Sequence, residues 1–147
     1  MRISLSNQLQ AGDIYLRTAV GAQSVSGPVD LPVFLANVSW YYRKAVFGRA
    51  LILQTGIDAW YCSNYDPFIY NIVNGQFNVG HYADWDYPFT YAPVLDVYAS
   101  FDVRTLRFFA KLENAAQGLY QKGYYEAPFY PCQPRSFKLG FNWMLFY

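Results

Sequence analysis

The sequence is poor in charge, histidine and cysteine, and it has no long apolar run. Charged residues make up 14% of its 147 positions, where an ordinary soluble domain carries about 25%. Eleven basic residues against ten acidic ones leave a net charge of +1. That balance gives no electrostatic basis for nucleic acid or an anionic surface as partner. The single histidine, His81, excludes a multi-histidine metal site, and any catalytic triad would have to use it. Cys62 and Cys132 lack metal-ligand spacing and read as two unpaired thiols, able to pair only in an oxidising compartment. No stretch reaches the roughly 18 to 20 consecutive apolar residues of a membrane-spanning helix. The opening decapeptide, MRISLSNQLQ, lacks the apolar centre of a secretory leader. Met1 is therefore expected to begin a cytosolic protein or a piece of a longer one.

What the chain has in quantity is aromatic residues, 21% of the total, with tyrosine present 15 times. Tyr and Trp suit places that are apolar at one end and wet at the other, such as membrane boundaries. Period-two alternation runs nearly throughout, and helical periodicity is almost absent. Leu139, Phe141, Trp143, Leu145 and Tyr147 alternate with Lys138, Gly140, Asn142, Met144 and Phe146. Leu106, Phe108, Ala110 and Leu112 alternate with Arg107, Phe109, Lys111 and Glu113. Leu95, Val97, Ala99, Phe101 and Val103 alternate with Asp96, Tyr98, Ser100 and Asp102. Segments 49–62, 33–44, 14–24 and, more weakly, 3–10 continue the pattern, which predicts seven long strands.

Sorting the charges by face is more informative. Arg17, Arg43, Arg107, Lys111 and Lys138 share a face with Asp13, Asp58, Asp96, Asp102 and Glu113, and the opposite face is expected to carry none. A one-residue register slip would exchange the faces. For the basic groups near a bilayer midplane, that exchange would cost on the order of 10 kcal/mol.

Connections alternate strictly between short and long. The short ones are Ala11-Gly12-Asp13, the region of Phe47-Gly48, and Val103-Arg104-Thr105; the long ones are about 25–32, 63–91 and 117–135. An up-and-down sheet with tight turns at one end and large loops at the other gives this order. Asn74-Gly75 in the middle loop signals a small hairpin with a type I′ turn.

A soluble lipocalin-like barrel or sandwich would also alternate. Four features favour a membrane barrel. The strands are about 10–12 residues long, and eleven residues at about 3.3 Å each, tilted near 40°, cover about 28 Å of bilayer normal. Aromatics gather near strand ends, where Trp40, Tyr42, Phe47, Trp60 and Tyr61 are expected to form girdles. Short turns opposite long loops fit outer-membrane barrels. The chain stops on an alternating apolar strand, whose Gly140, Phe141, Trp143, Leu145 and Tyr147 look like a membrane-insertion signal read by the outer-membrane assembly machinery.

Several stretches resemble the C-terminal part of a family of β-barrel porins from Bacteroidetes-type Gram-negative bacteria. They are ALILQTGIDAWYCSNYDPFIYN with the following Gly75-Gln76-Phe77, then VLDVYASF, KLENAAQGL and FYPCQPRSFKLGFNW. The residues carrying the likeness are Gly56, Asp58, Tyr61, Tyr65, Pro67, Tyr70, Asp96, Glu113, Asn114, Tyr130, Pro131, Arg135, Gly140 and Trp143, and it runs from roughly residue 13 to the end. The resemblance implies an outer-membrane barrel of uncharacterised or pore-type role and supplies no catalytic residues. The chain departs from the family pattern in its Phe-Tyr ending and in Cys132 after Pro131, and a signal peptide and upstream strands are expected to be missing from it. Single-chain bacterial barrels use an even number of strands. Seven strands therefore predict one β-barrel domain over residues 1–147 that is incomplete at the N-terminus, unless 66–84 hides an eighth.

Other candidate sites carry less weight. His81 lies near Asp84 and Asp86, and Ser63 or Ser100 could serve as nucleophile, but no motif joins them. Asp66, Asp84 and Asp86 could offer oxygen ligands to calcium, without the spacing of a known loop. Asn37-Val38-Ser39 matches a glycosylation acceptor but lies mid-strand. The run WYYRK fits an interface girdle with adjacent cations better than nucleic-acid stacking. No catalytic, cofactor or metal residue is assigned. The ten charges are expected to face a lumen, lining a wet channel or pairing across a narrow one. The expected function is passive diffusion of small hydrophilic solutes through an outer-membrane barrel, with the lipid bilayer as partner. The alternatives are the C-terminal strands of a TonB-dependent-type active-uptake receptor and a soluble lipocalin-like ligand-binding barrel.

Overall fold

A computed structural model describes residues 1–24, 31–65, 69–78, 93–119, 125–127 and 130–145. In chain order the strands are β1 (Arg2–Ala11), β2 (Ile14–Gln23), β3 (Phe34–Val46), β4 (Leu51–Cys62), β5 (Ile69–Asn71) and β6 (Gln76–Asn78). There follow β7 (Val94–Val103), β8 (Leu106–Glu113), β9 (Tyr125–Ala127), β10 (Tyr130–Pro131) and β11 (Ser136–Trp143). Seven of them form one antiparallel up-and-down sheet in the order β1-β2-β3-β4-β7-β8-β11. The sheet is not closed among the described residues, and β1 and β11 are its edges.

The short connections are the turns that the spacing predicts. Ala11 pairs with Ile14 around Gly12-Asp13, and Gly12 takes φ 61°, the glycine-first pattern of a type II′ hairpin. Val103 pairs with Leu106, with Arg104 at φ 53°. Val46 pairs with Leu51 across a four-residue loop in which Phe47 and Arg49 also have positive φ. All three turns lie at one end of the sheet.

Segment 66–84 contributes no eighth strand to the sheet among the described residues. Instead β5 and β6 pair with each other as a separate hairpin. The Asn74-Gly75 signal is right about the hairpin and wrong about the turn. Asn71 pairs with Gln76, leaving a four-residue loop with positive φ at Gly75 but not at Asn74. The Asn71 side chain explains the wider loop, because its Oδ1 accepts the Val73 N–H at 2.9 Å and its carbonyl accepts the Gly75 N–H at 2.9 Å.

Register fixes the two faces, because directly paired residues of an antiparallel sheet point the same way. Leu9, Leu16, Trp40, Ile57, Val97, Leu112 and Phe137 form one continuous row. Leu53, Phe101, Phe108 and Phe141 form another on the same face. The opposite face carries the row Gln8, Arg17, Ser39, Asp58 and Asp96.

Burial is inverted relative to a water-soluble sheet. The ionisable Asp96 is 6% exposed, while Leu139, Phe141 and Trp143 are 72%, 68% and 61% exposed. Along β7, Val97, Phe101 and Val103 are open, whereas Asp96, Tyr98, Ser100 and Asp102 are better covered. No large side chain among the described residues is fully buried. The sheet therefore has no apolar core of its own.

Candidate functional site

The charged face gathers most of the ion pairs among the described residues. Of the ten charges expected there, Arg17, Arg43, Asp58, Asp96, Asp102, Arg107, Lys111, Glu113 and Lys138 share that face by register. Asp13 does not join them. It stands in the β1–β2 turn and pairs with Lys44 at 3.6 Å. Lys44 itself lies on the apolar face, opposite Leu53, so that face is not wholly free of charge. Both partners are about half-exposed at the tight-turn end. Period two places Lys44 two residues from Tyr42, so the sequence already carried this signal.

The charges form a directed network. Lys111 Nζ lies 2.7 Å from Asp96 Oδ2 and 3.5 Å from Glu113 Oε1, and Lys138 Nζ lies 2.6 Å from Glu113 Oε2. Asp96 Oδ1 accepts the Asn114 backbone N–H at 2.9 Å. The Ser136 hydroxyl donates to Glu113 at 3.3 Å. Nearer the tight turns, Arg107 grips Asp102 in a two-point pair of 2.5 and 2.8 Å. On the other flank, Asp58 accepts the Ser39 hydroxyl at 2.5 Å, and Arg17 donates to Gln8 at 3.4 Å. Acids and bases are thus closely matched on β7, β8 and β11, while Arg17 and Arg43 lie on the β2–β3 side.

Tyrosines and glycines shape the same face. Tyr15 and Tyr41 stack with centroids 4.9 Å apart. Beside them Gly56 leaves no space: a Cβ there would sit 2.6 Å from Tyr41 Cβ and 2.7 Å from the Trp40 carbonyl. At Gly140 a Cβ would meet the Phe109 ring at 2.5 Å. Gly140, expected in an insertion signal, therefore has a packing role as the seat of Phe109. Phe141 and Trp143 of that signal line the apolar face and Leu145 is exposed, while Tyr147 lies outside the described residues.

The aromatics expected in the girdle divide between the two faces. Trp40, Tyr42 and Tyr61 stand on the apolar face and Phe47 is exposed in a tight turn. Trp60 pairs with Asn37 and Val94 on the charged face. Adjacent strand residues cannot face the same way, so Trp60 and Tyr61 cannot both belong to an outward belt. Two further aromatics stand near strand ends on the apolar face. Phe34 lies beside Tyr61 at 6.5 Å, and Trp143 pairs with Leu106 next to the β7–β8 turn.

The remaining candidates form no reactive centre. Ser63 Oγ accepts the Phe34 N–H at 3.0 Å and ties the end of β4 to β3. His81, Asp66, Asp84 and Asp86 lie outside the described residues. Among the described residues no group of three His, Cys, Asp or Glu side chains is placed to hold a metal ion.

A family model described as "Putative porin" matches residues 1–147, the whole chain and more than the stretch from residue 13 that carries the resemblance. No curated protein and no solved structure matches it.

Proposed function

The chain belongs to this porin family, and from that premise we propose that it forms part of an outer-membrane β-barrel for passive diffusion of small hydrophilic solutes. The apolar face meets acyl chains and the charged face lines the aqueous interior. One observation carries the reading: the largest apolar side chains of the sheet are the open ones, and the best covered ionisable group is a carboxylate. Leaving a Phe, Leu or Val in water forgoes roughly 1.5–3 kcal/mol per side chain. Phe101, Phe108, Phe137, Leu139 and Phe141 together make water an unsuitable neighbour for that face. A soluble ligand-binding barrel would turn these residues inward around a cavity, and their exposure argues against it.

Both edges of the sheet, β1 and β11, carry unpaired backbone groups, which a bilayer does not tolerate. In the barrel they pair with one another or with further strands, and residues 1–147 contribute one continuous arc of its wall. The nine register-matched charges give the interior a weak selectivity, because most are already paired across strands. The test is planar-bilayer conductance of the folded full-length protein. Ohmic channels whose conductance scales with salt are expected; sustained silence from correctly folded protein removes the pore assignment.

A further inference from the structure

The charged face is not balanced across its width. On β7, β8 and β11 it carries Arg107, Lys111 and Lys138 against Asp96, Asp102 and Glu113, and all of them are in ion pairs. On β1 to β4 it carries Arg2, Arg17 and Arg43 against Asp58 alone, Arg2 sharing the parity of Gln8. None of these four is in an ion pair among the described residues. Arg17 donates to Gln8 at 3.4 Å, and Asp58 accepts the Ser39 hydroxyl. Asp58 lies two strands from Arg17 in the same row. Their backbones are roughly 10 Å apart, about a Debye length at physiological salt, so Asp58 offsets one charge of the three without pairing with any. The three arginines are also spread along the strands. Arg2 stands six residue levels from the row of Gln8 and Arg17, and Arg43 stands four levels beyond that row on β3. At about 3.3 Å per level they span about 33 Å of strand, comparable with the roughly 30 Å of a hydrocarbon core. Around Arg2 the wall is low. Ser4 and Ser6 pair with Gly21 and Ala19, and these small residues leave an open groove of about 580 Å³ that Asn37 and Trp60 also line. The volume suits a small organic solute, and the lining holds one cation and no carboxylate.

We propose that Arg2, Arg17 and Arg43 form an anion track along the interior, selecting small solutes that carry a carboxylate or phosphate group, with the groove at Arg2 as the first stop from the loop end. The track requires the charged face to line a wet pore, as the proposed function has it. A guanidinium presents a planar fork of N–H donors that matches two oxygens of either group. On β8 that fork is already filled, because Arg107 holds both carboxylate oxygens of Asp102. The forks on β1 to β3 hold no carboxylate among the described residues. An anion entering the groove exchanges part of its hydration for charge-assisted hydrogen bonds to Arg2, and the next arginine offers the same bonds farther along the wall. Several open sites in series let an anion bind well enough to enter and weakly enough to leave. The paired half of the face, with equal numbers of acids and bases, adds no opposing preference.

The test places folded full-length protein in planar bilayers under a potassium chloride gradient and then adds inorganic phosphate as the probe. An anion-directed reversal potential is expected, with a chloride current that phosphate lowers saturably. Arg2→Gln, Arg17→Gln and Arg43→Gln should each move the reversal potential toward cations and weaken the phosphate block by about threefold or more. Arg17→Lys keeps the charge and loses the fork, so it should hold the reversal potential and still weaken the block. The corresponding lysine variant replaces any glutamine variant that does not fold. Channels that prefer cations, that phosphate does not block, or whose block weakens at fewer than two of the three positions overturn the track. Folded protein that gives no channel counts against the pore instead. The anion site is then decided by equilibrium dialysis of radiolabelled phosphate against that protein in detergent: binding that falls in at least two of the three variants upholds it, and anything less overturns it.

Discussion

Asp58 and Asp96 are directly opposed across β4 and β7, yet their carboxylates are engaged on opposite flanks. Asp58 bonds Ser39 on β3 at 2.5 Å, and Asp96 pairs with Lys111 on β8 at 2.7 Å. Like charges facing each other in a sheet are unfavourable, and engagement with the outer neighbours relieves the conflict. The two acids thereby divide the charged face into a hydroxyl-supported half and an ion-paired half.

Asp96→Asn should leave Lys111 with only the 3.5 Å contact to Glu113. Breaking a fully buried pair costs about 3–5 kcal/mol, and the partial exposure of Lys111 should reduce this to about 2 kcal/mol. A lower urea midpoint for the folded protein in detergent is expected, with the reversal potential in a potassium chloride gradient displaced toward anions. Replacing Lys111 by Met as well should recover part of the midpoint. An unchanged midpoint in the single variant would contradict the pairing.

Gly56→Ala should be the more damaging of two glycine substitutions. Its new methyl meets Tyr41 Cβ and the Trp40 carbonyl, which move only with the β3 backbone. A loss of about 2–3 kcal/mol is expected. Gly140→Ala meets the end of the Phe109 ring, which can rotate, and should cost about 1 kcal/mol. Phe109→Ala should remove most of that second penalty. Urea titration of all four proteins orders the effects, and equal losses at Gly56 and Gly140 would count against this account.

Neighbouring positions on β7 should respond in opposite ways to an arginine. Ala99 pairs with Thr55 and Ala110 on the apolar face, and Ser100 with Gln54 and Phe109 on the charged face. Ala99→Arg should lower stability in lipid vesicles by about 2–4 kcal/mol, and Ser100→Arg by about 0.5 kcal/mol. The reverse order would invert the assignment of the faces.

Trp40 and Trp60 should report different surroundings. In variants that retain one of them as the sole tryptophan, Trp40 fluorescence should be quenched by lipids brominated along the acyl chain. Trp60 should instead respond to aqueous iodide. Lipid quenching of Trp60 equal to that of Trp40 would return Trp60 to the outward belt.

Much of this organisation is local and therefore readable from the chain. Period-two alternation places Asp58 and Trp60 on one face and Trp40 and Lys44 on the other without reference to any partner strand. Treating Trp60 and Tyr61 as one girdle set aside that parity, and treating the apolar face as uncharged overlooked it at Lys44. The β5–β6 hairpin was visible at Asn74-Gly75, but its turn depended on hydrogen bonds to Asn71, which a two-residue motif does not include.

By itself the sequence determined the strands, the tight turns and the composition of each face, because those follow from backbone alternation and turn chemistry within a few residues. Only the tertiary structure decided that Asp96 bonds Lys111 and not Asp58, that Gly56 lies under Tyr41, and that Gly140 seats Phe109. Each depends on register between strands, and β4 meets β7 across a long connection. No local pattern specifies which side chains that pairing brings together.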